Sequence, residues 1–141
     1  MSGRVLSARE ADVAACLLDA VAGRGGELPP VSRTDARQAF DALLAGSPRL
    51  NRVALRGLLW GLELAALATP QRRRMRRLTA AERQAYLERA ATGRVGPAVA
   101  GILALARLAY YGDLTAMGAL GFDPAAVVAR GRALRTREAR W

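Results

Sequence analysis

The chain has 141 residues and a formal net charge of +10, which arises from 22 arginines, no lysine and 12 acids. It contains 31 alanines and 21 leucines but only 5% aromatic residues, a mixture that favours helices over β-sheet. With no histidine and one cysteine, the composition excludes a disulfide scaffold, a cysteine-rich zinc site and histidine-based acid–base catalysis.

Three helices are predicted in the first half of the chain. Ser7 and Glu10 form a capping box, in which each side chain satisfies a free backbone amide of the other residue. The segment 23–30 is rich in glycine and proline and is expected to end this helix in a loop. Ser47 followed by Pro48 predicts the start of the third helix, with serine as the N-cap and proline at the first helical position.

The third predicted helix is apolar around almost its whole circumference, which indicates a helix at the centre of a bundle or one covered by another chain. Gly57 and Gly61 are four residues apart and predict close approach of a neighbouring helix. Glu63 lies in the middle of this apolar segment. Its carboxylate is expected either to pair with an arginine or lie at an exposed edge, or to be a buried acid that faces a partner or a cofactor.

The second half of the chain repeats the same helix signals. Thr79 and Glu82 form a second capping box, and Asp113 can cap a short helix. Cys16, in the first helix, is expected to be a small buried hydrophobic residue. We predict an all-α, single-domain bundle of five to six helices. The helical segments, short ones included, are 8–22, 33–45, 48–68, 80–92, 97–111, 114–119 and 124–138.

The run 72–77 holds five arginines and has three open interpretations: a solvated linker, contact with an acidic partner surface, or contact with nucleic-acid phosphates. It is not a twin-arginine export signal, because it lies in mid-chain. Residues 1–10 lack the apolar segment of a signal peptide, and no apolar run reaches the ~18 residues of a membrane span. We therefore expect a cytoplasmic protein.

The tyrosine pair 110–111 and Trp60 are candidates for surface contacts. Tyr110 and Tyr111 are consecutive on a predicted helix and point about 100° apart, so one is expected to face the core and the other a surface or interface. Trp60 has the same two alternatives, the core or a surface or interface. For nucleic acid, the helix 80–92 could approach DNA through Arg83, Gln84 and Arg89, although the apolar helix after it would be a poor recognition helix. The sequence contains no nucleotide-binding glycine loop and no nucleophile–base pair.

The order of several motifs resembles the gluconate 2-dehydrogenase subunit 3 family. Residues 78–83 read Leu-Thr-Ala-Ala-Glu-Arg, 108–113 read Leu-Ala-Tyr-Tyr-Gly-Asp, and 120–122 read Leu-Gly-Phe. The segments 7–10 (Ser-Ala-Arg-Glu) and 27–30 (Glu-Leu-Pro-Pro) fit the same order. The chain is also similar to the N-terminal helical segment of long-chain alcohol oxidases.

The resemblance implies a non-catalytic small subunit that binds and stabilises a larger FAD-dependent oxidoreductase of the glucose–methanol–choline (GMC) type and helps to shape its substrate entrance. FAD and the catalytic residues would then belong to the partner, and this chain would hold no cofactor, metal or catalytic residue. The candidate partner-binding residues are Trp60, Tyr110, Tyr111, Arg73 and Arg76. The alternatives are a small arginine-rich nucleic-acid-binding protein and a purely structural helical module.

Overall fold

The computed structural model describes residues 5–22 and 28–138, which form seven α-helices and no strand. The helices are α1 (Ala8–Val21), α2 (Ala36–Gly46), α3 (Arg49–Ala65), α4 (Ala80–Thr92), α5 (Gly96–Tyr111), α6 (Leu114–Ala119) and α7 (Pro124–Glu138). The predicted all-α, single-domain bundle is confirmed, with seven helices rather than five or six. Most of the predicted loop 23–30, with Gly23 and Glu27, lies outside the described residues.

Short 3₁₀ turns account for the main differences from the predicted bounds. Val31–Arg33 forms such a turn, so α2 begins at Ala36 rather than at residue 33. Ala66–Ala68 forms another, so the α-helical part of α3 ends at Ala65. A third turn, Met75–Arg77, lies inside the arginine run, so the second half of the run is a 3₁₀ turn.

The helix starts follow the predicted caps except at α3. Both capping boxes form, at Ser7 with Glu10 and at Thr79 with Glu82. The prediction for Ser47 was wrong, because its hydroxyl donates to the Leu43 carbonyl 2.9 Å away and so closes the end of α2. The N-cap of α3 is the extended Pro48, which offers no side-chain hydrogen bond to the free amides of the first turn.

The core lies around α5, which packs against α1, α2 and α4. Seven of its residues are buried, among them the fully buried Ile102 and Tyr110, and Phe40 and Leu44 of α2 are also fully buried. Gly96 is required where the chain turns from α4 into α5, because a Cβ there would lie 2.3 Å from the Ala91 carbonyl oxygen. The buried apolar face of α5 is thus packed against three helices of the same chain.

The C-terminal helix differs from the rest of the bundle. Gly121 has a φ of +74°, a conformation that favours glycine, in the turn that follows α6. Most of the side chains of α7 are exposed, and the helix has no extensive packing against another element. Within the described residues, no helix is both long and apolar enough to cross a membrane.

Candidate functional site

Helix α3 has two apolar faces, of which one packs against the bundle and the other faces outward. The inner face buries Leu59, Leu62 and Glu63. On the opposite side Leu50 is 80% exposed and Val53 is 68% exposed, values that no core residue shows. The outer face of α3, continued into the 3₁₀ turn after it, consists of Leu50, Val53, Gly57, Trp60, Leu64 and Leu67.

The outer face has a gap in its row of side chains at Gly57, which we call the groove, because glycine carries no side chain. The sequence predicted that Gly57 and Gly61 would contact a neighbouring helix, but among the described residues no atom beyond the local backbone of α3 and the adjacent residues lies within 4 Å of a Cβ built at either position. That prediction is wrong for the chain by itself. At Gly57 the row therefore offers no side chain between Val53 and Trp60, and the space beside it is open.

A buried carboxylate fixes the middle of α3 against α1. Glu10 is only 3% exposed, and both of its oxygens are used. Arg56 donates from Nε to Oε1 at 2.8 Å and from Nη2 to Oε2 at 3.1 Å, a two-pronged ion pair. The Trp60 indole donates to Oε1 at 3.3 Å, and the Ser7 backbone donates to Oε2 at 2.8 Å. Glu10 is therefore both the helix cap predicted from sequence and the tie between two helices, a role that the sequence did not reveal.

The electrostatics of Glu10 follow from these contacts. Burial raises the pKa of its carboxyl, but the hydrogen bonds from Arg56 and Ser7 and the charge of Arg56 outweigh burial. The pKa falls from 4.5 to about 2. Trp60, a candidate partner-binding residue, is half-buried, and its indole N–H is held by this carboxylate.

A second buried carboxylate fixes the arginine run. Glu63 is 1% exposed and accepts the Arg76 backbone N–H at 3.1 Å. The Nε of Arg76 lies 2.9 Å from Glu63 Oε1 but is not aimed along a hydrogen bond, so this contact is an ion pair only. Asp12 lies 3.8 Å from the same guanidinium. The interpretation of Glu63 as the partner of an arginine is confirmed. Arg76, a candidate partner-binding residue, is held inside the chain by this ion pair, although its side chain is 29% exposed.

The arginine run is held at two points and exposed at the others. Met75 is fully buried and, with Arg76, anchors the run to the bundle. Arg72 has a φ of +47°, which is strained for a residue other than glycine and costs about 1–2 kcal/mol. The other four arginines of the run and Leu67 line a depression of about 320 Å³. This arginine cradle consists of Leu67, Arg72, Arg73, Arg74 and Arg77.

The cradle continues the outer face of α3. Leu67 belongs to both surfaces and lies one turn after Leu64. Of the ion pairs formed between described residues, none involves Arg72, Arg73, Arg74 or Arg77. The apolar surface and the positive surface thus form one continuous exposed region, which the sequence presented as two unrelated features.

The tyrosine pair divides as expected. Tyr110 is fully buried and its hydroxyl donates to the Pro29 carbonyl at 2.7 Å, so its proposed role as a partner anchor is corrected to that of a core residue. Burial raises the pKa of its hydroxyl. Tyr111 is 36% exposed, stacks edge-on against Tyr110 and contacts the Val21 carbonyl at 3.4 Å. No described contact joins Tyr111 to the outer face of α3.

The motifs that carry the family resemblance have structural roles here. Asp113 caps α6 and accepts the Asp35 backbone N–H at 2.9 Å. Burial raises the pKa of Asp113, but these backbone donors outweigh it and hold the pKa below its ordinary value. Arg83, after the second capping box, donates to the Leu78 carbonyl at 3.1 Å.

The other residues considered for DNA contact or reactivity are also engaged locally. Gln84 donates to Glu88, and Arg89 donates to the Ala85 carbonyl. Cys16 is half-buried against the core, and burial raises the pKa of its thiol, which disfavours the reactive thiolate. Within the part of the chain that the structure describes, no group of three or more His, Cys, Asp or Glu is placed to hold a metal.

Comparison with known protein families, with curated proteins and with solved structures finds no match for this chain. The gluconate 2-dehydrogenase resemblance therefore stays a prediction from the quoted motifs. What the geometry contributes independently is a surface: an apolar helix face with an adjoining arginine cradle, both fixed from behind by buried carboxylates.

Proposed function

We propose that this chain is a non-catalytic accessory subunit that binds and stabilises a larger partner protein through α3. The observation that carries the proposal is the outer face, where Leu50, Val53 and Leu64 are exposed in one row on a helix whose other face is already packed. Apolar groups arranged in one contiguous patch are typical of protein–protein contact sites, whereas isolated exposed apolar residues are ordinary. A partner that covers the row removes this surface from water.

The partner expected from the sequence motifs is an FAD-dependent oxidoreductase of the GMC type. In that arrangement FAD and the reaction belong to the partner, and this chain supplies binding energy. Covering an exposed leucine or valine contributes about 1.5–3 kcal/mol at full burial. Binding to the folded partner stabilises both chains by mass action, so each chain is expected to be less stable alone.

The test is purification of the tagged chain from its native host, with an absorbance spectrum and a mass determination of the complex. The proposal predicts a larger protein in a fixed ratio to this chain and the absorbance bands of an oxidised flavin. A larger colourless protein in fixed ratio would retain the accessory role but contradict the flavoprotein assignment. The chain eluting alone in several salt conditions would contradict both.

Nucleic-acid binding is the second candidate, and the exposed arginine cradle is the observation that favours it. This function predicts that affinity for duplex DNA falls steeply with salt, because each neutralised phosphate releases counterions. Substituting Arg73 and Arg77 by glutamine would lower the salt dependence by about two contacts. An unchanged affinity in that variant would contradict a role of the cradle in DNA binding.

A further inference from the structure

We propose that the outer face of α3 and the arginine cradle together bind one acidic amphipathic helix of the partner protein. The inference rests on the proposed function and specifies the chemistry of what docks. It is carried by three observations: the spacing of the exposed apolar residues, the charge of their surroundings, and the position of the cradle at one end of the row.

The spacing predicts a helical occupant. The outer face occupies positions 50, 53, 57, 60, 64 and 67, so the intervals alternate between three and four residues. This is the pattern with which one helix packs along another in a coiled-coil seam. At 1.5 Å per residue the row is about 25 Å long, which a partner helix of about five turns would cover. The open groove at Gly57 admits a large apolar side chain of that helix.

The charge around the row predicts acidic flanks on the occupant. Residues 47–78 hold eight arginines and one acid, and that acid, Glu63, is buried and paired with Arg76. Arg49 and Arg56 directly precede positions 50 and 57 of the row, where a coiled coil carries the charges that select its partner. Although Arg56 holds Glu10, its side chain is still 44% exposed. Glu63 precedes position 64 in the same way but is buried, so the exposed flanking charge on this helix is entirely positive.

The same charge argues against a second copy of this chain as the occupant. A symmetric pair through α3 would bring two arginine-flanked rows and two cradles together, and like charges across an interface are unfavourable. A helix with glutamates or aspartates beside its apolar row pairs with these arginines instead. Nucleic acid would use the cradle but would leave Leu50, Val53 and Leu64 without an apolar partner. An acidic amphipathic helix accounts for both surfaces.

The cradle lies at one end of the row, so the strongest preference for acidic residues is expected at that end of the bound helix. Arg72, Arg73, Arg74 and Arg77 surround the depression beside Leu67, beyond the last turn of α3. The end of the partner helix that reaches Leu67 should therefore carry acidic residues or a free carboxylate. Guanidinium groups bind carboxylates in a two-pronged geometry, which gives this end its specificity.

The test uses two synthetic peptides of about 20 residues, a length that covers the row. Both carry leucines at alternating intervals of three and four, and they differ only in having glutamates or lysines at the flanking positions. Binding is measured by the fluorescence of Trp60 in a Trp141→Phe background, which leaves one tryptophan as reporter. The proposal predicts that the glutamate peptide binds at least about tenfold more tightly, with affinity that falls as salt rises.

Matched variants locate the binding site. Val53→Asp with Leu64→Asp, and separately Arg73→Glu with Arg77→Glu, are each expected to weaken the glutamate peptide about tenfold or more. The controls are the equally exposed residues of α7, Val127→Asp with Leu134→Asp and Arg130→Glu with Arg132→Glu, which should leave binding unchanged. Because all these side chains are exposed or half-exposed, the variants are expected to fold, which far-ultraviolet circular dichroism checks.

Several results would overturn the inference. The first two are equal affinity for the two peptides and an equal loss of peptide affinity in the α7 controls. The third is a dimer of the free chain that dissociates when Val53→Asp and Leu64→Asp are introduced. The fourth is tighter binding of duplex DNA than of the glutamate peptide. The native-host purification separates the two proposals. If a larger protein co-purifies equally with wild type and with both variants, the inference fails and the accessory function stands. If no larger protein co-purifies, the accessory function itself fails.

Discussion

Helices α3 and α5 look alike in sequence and have different surroundings in the fold. Each carries apolar residues on more than one face. Helix α5 packs against α1, α2 and α4 and buries seven of its residues, whereas α3 buries three. An apolar helix therefore shows how much surface must be shielded from water, but not whether its own chain or another chain shields it. For most apolar side chains of α5 the cover is internal, although Leu108 stays 61% exposed, and for the outer face of α3 we propose that it comes from a partner.

The largest expected contrast is between truncations on the two helices. Ile102→Ala removes a fully buried side chain of α5 and is expected to lower the free energy of unfolding by about 2–5 kcal/mol, because it leaves a cavity. Leu64→Ala removes a side chain that is 46% exposed and should cost less than about 1 kcal/mol. Urea unfolding of both variants measures the contrast, and equal losses would show that α3 is covered within the free chain.

The next contrast lies within the arginine run. Arg76→Met leaves the buried Glu63 carboxylate without its ion-pair partner and is expected to lower the free energy of unfolding by about 2–4 kcal/mol. Arg73→Met, on the exposed cradle, should change it by less than about 0.5 kcal/mol. Adding Glu63→Gln to Arg76→Met should restore part of the loss, because the buried charge is then gone. No restoration in this double-mutant cycle would contradict the ion pair.

The tie between α1 and α3 predicts a dependence of stability on pH. Glu10 has a folded-state pKa of about 2 against an ordinary value of 4.5, so its contribution is complete above pH 4.5 and is lost as the pH falls toward 2. The difference in pKa corresponds to about 3 kcal/mol. Thermal unfolding of wild type and Glu10→Gln between these pH values checks it. The two melting temperatures should converge in acid, and parallel curves would show that Glu10 does not titrate as described.

The smallest effect concerns the glycines of the outer face. Gly57→Ala meets no described atom and should raise the free energy of unfolding by about 0.5–1 kcal/mol, because alanine favours the helix. Gly101→Ala on α5 is equally open and is the matched control. Only Gly57→Ala should also weaken binding of the partner or of the acidic peptide, since its methyl group fills the groove. If Gly57→Ala raised both the free energy of unfolding and the affinity for the partner or the acidic peptide, the proposed role of the groove would be contradicted.

Local signals in the sequence predicted much of the fold. The two capping boxes and the glycines and prolines between helices located most helix ends within a few residues. The prediction of the N-cap failed at Ser47. Pro48 is the N-cap of α3, and the Ser47 hydroxyl instead donates to the Leu43 carbonyl at the end of α2. The arginine pairing of Glu63 was one of two interpretations, and a buried acid in an apolar segment has few other ways to be stabilised.

The candidate site was predicted less well, because it depends on which faces remain uncovered. Trp60 and Arg73 lie on or beside the proposed surface, but Tyr110 and Arg76 are used inside the bundle. The alternating intervals from Leu50 to Leu67 could have been recognised in the sequence as a helix-packing seam, a signal that was missed. What could not be read was that Glu10, some 46 residues from Arg56, orients this helix so that the seam faces outward.

The most direct test of the central claim is protection of α3 in the complex purified from the native host. Val53→Cys would be reacted with a maleimide in the free chain and in the complex, with Val127→Cys on α7 as the control; both positions are exposed, and Cys16 is half-buried. The proposed docking of a partner on α3 predicts that the complex slows labelling at residue 53 by about tenfold or more and leaves residue 127 unchanged. Labelling of residue 53 at the same rate in the complex and in the free chain would contradict it.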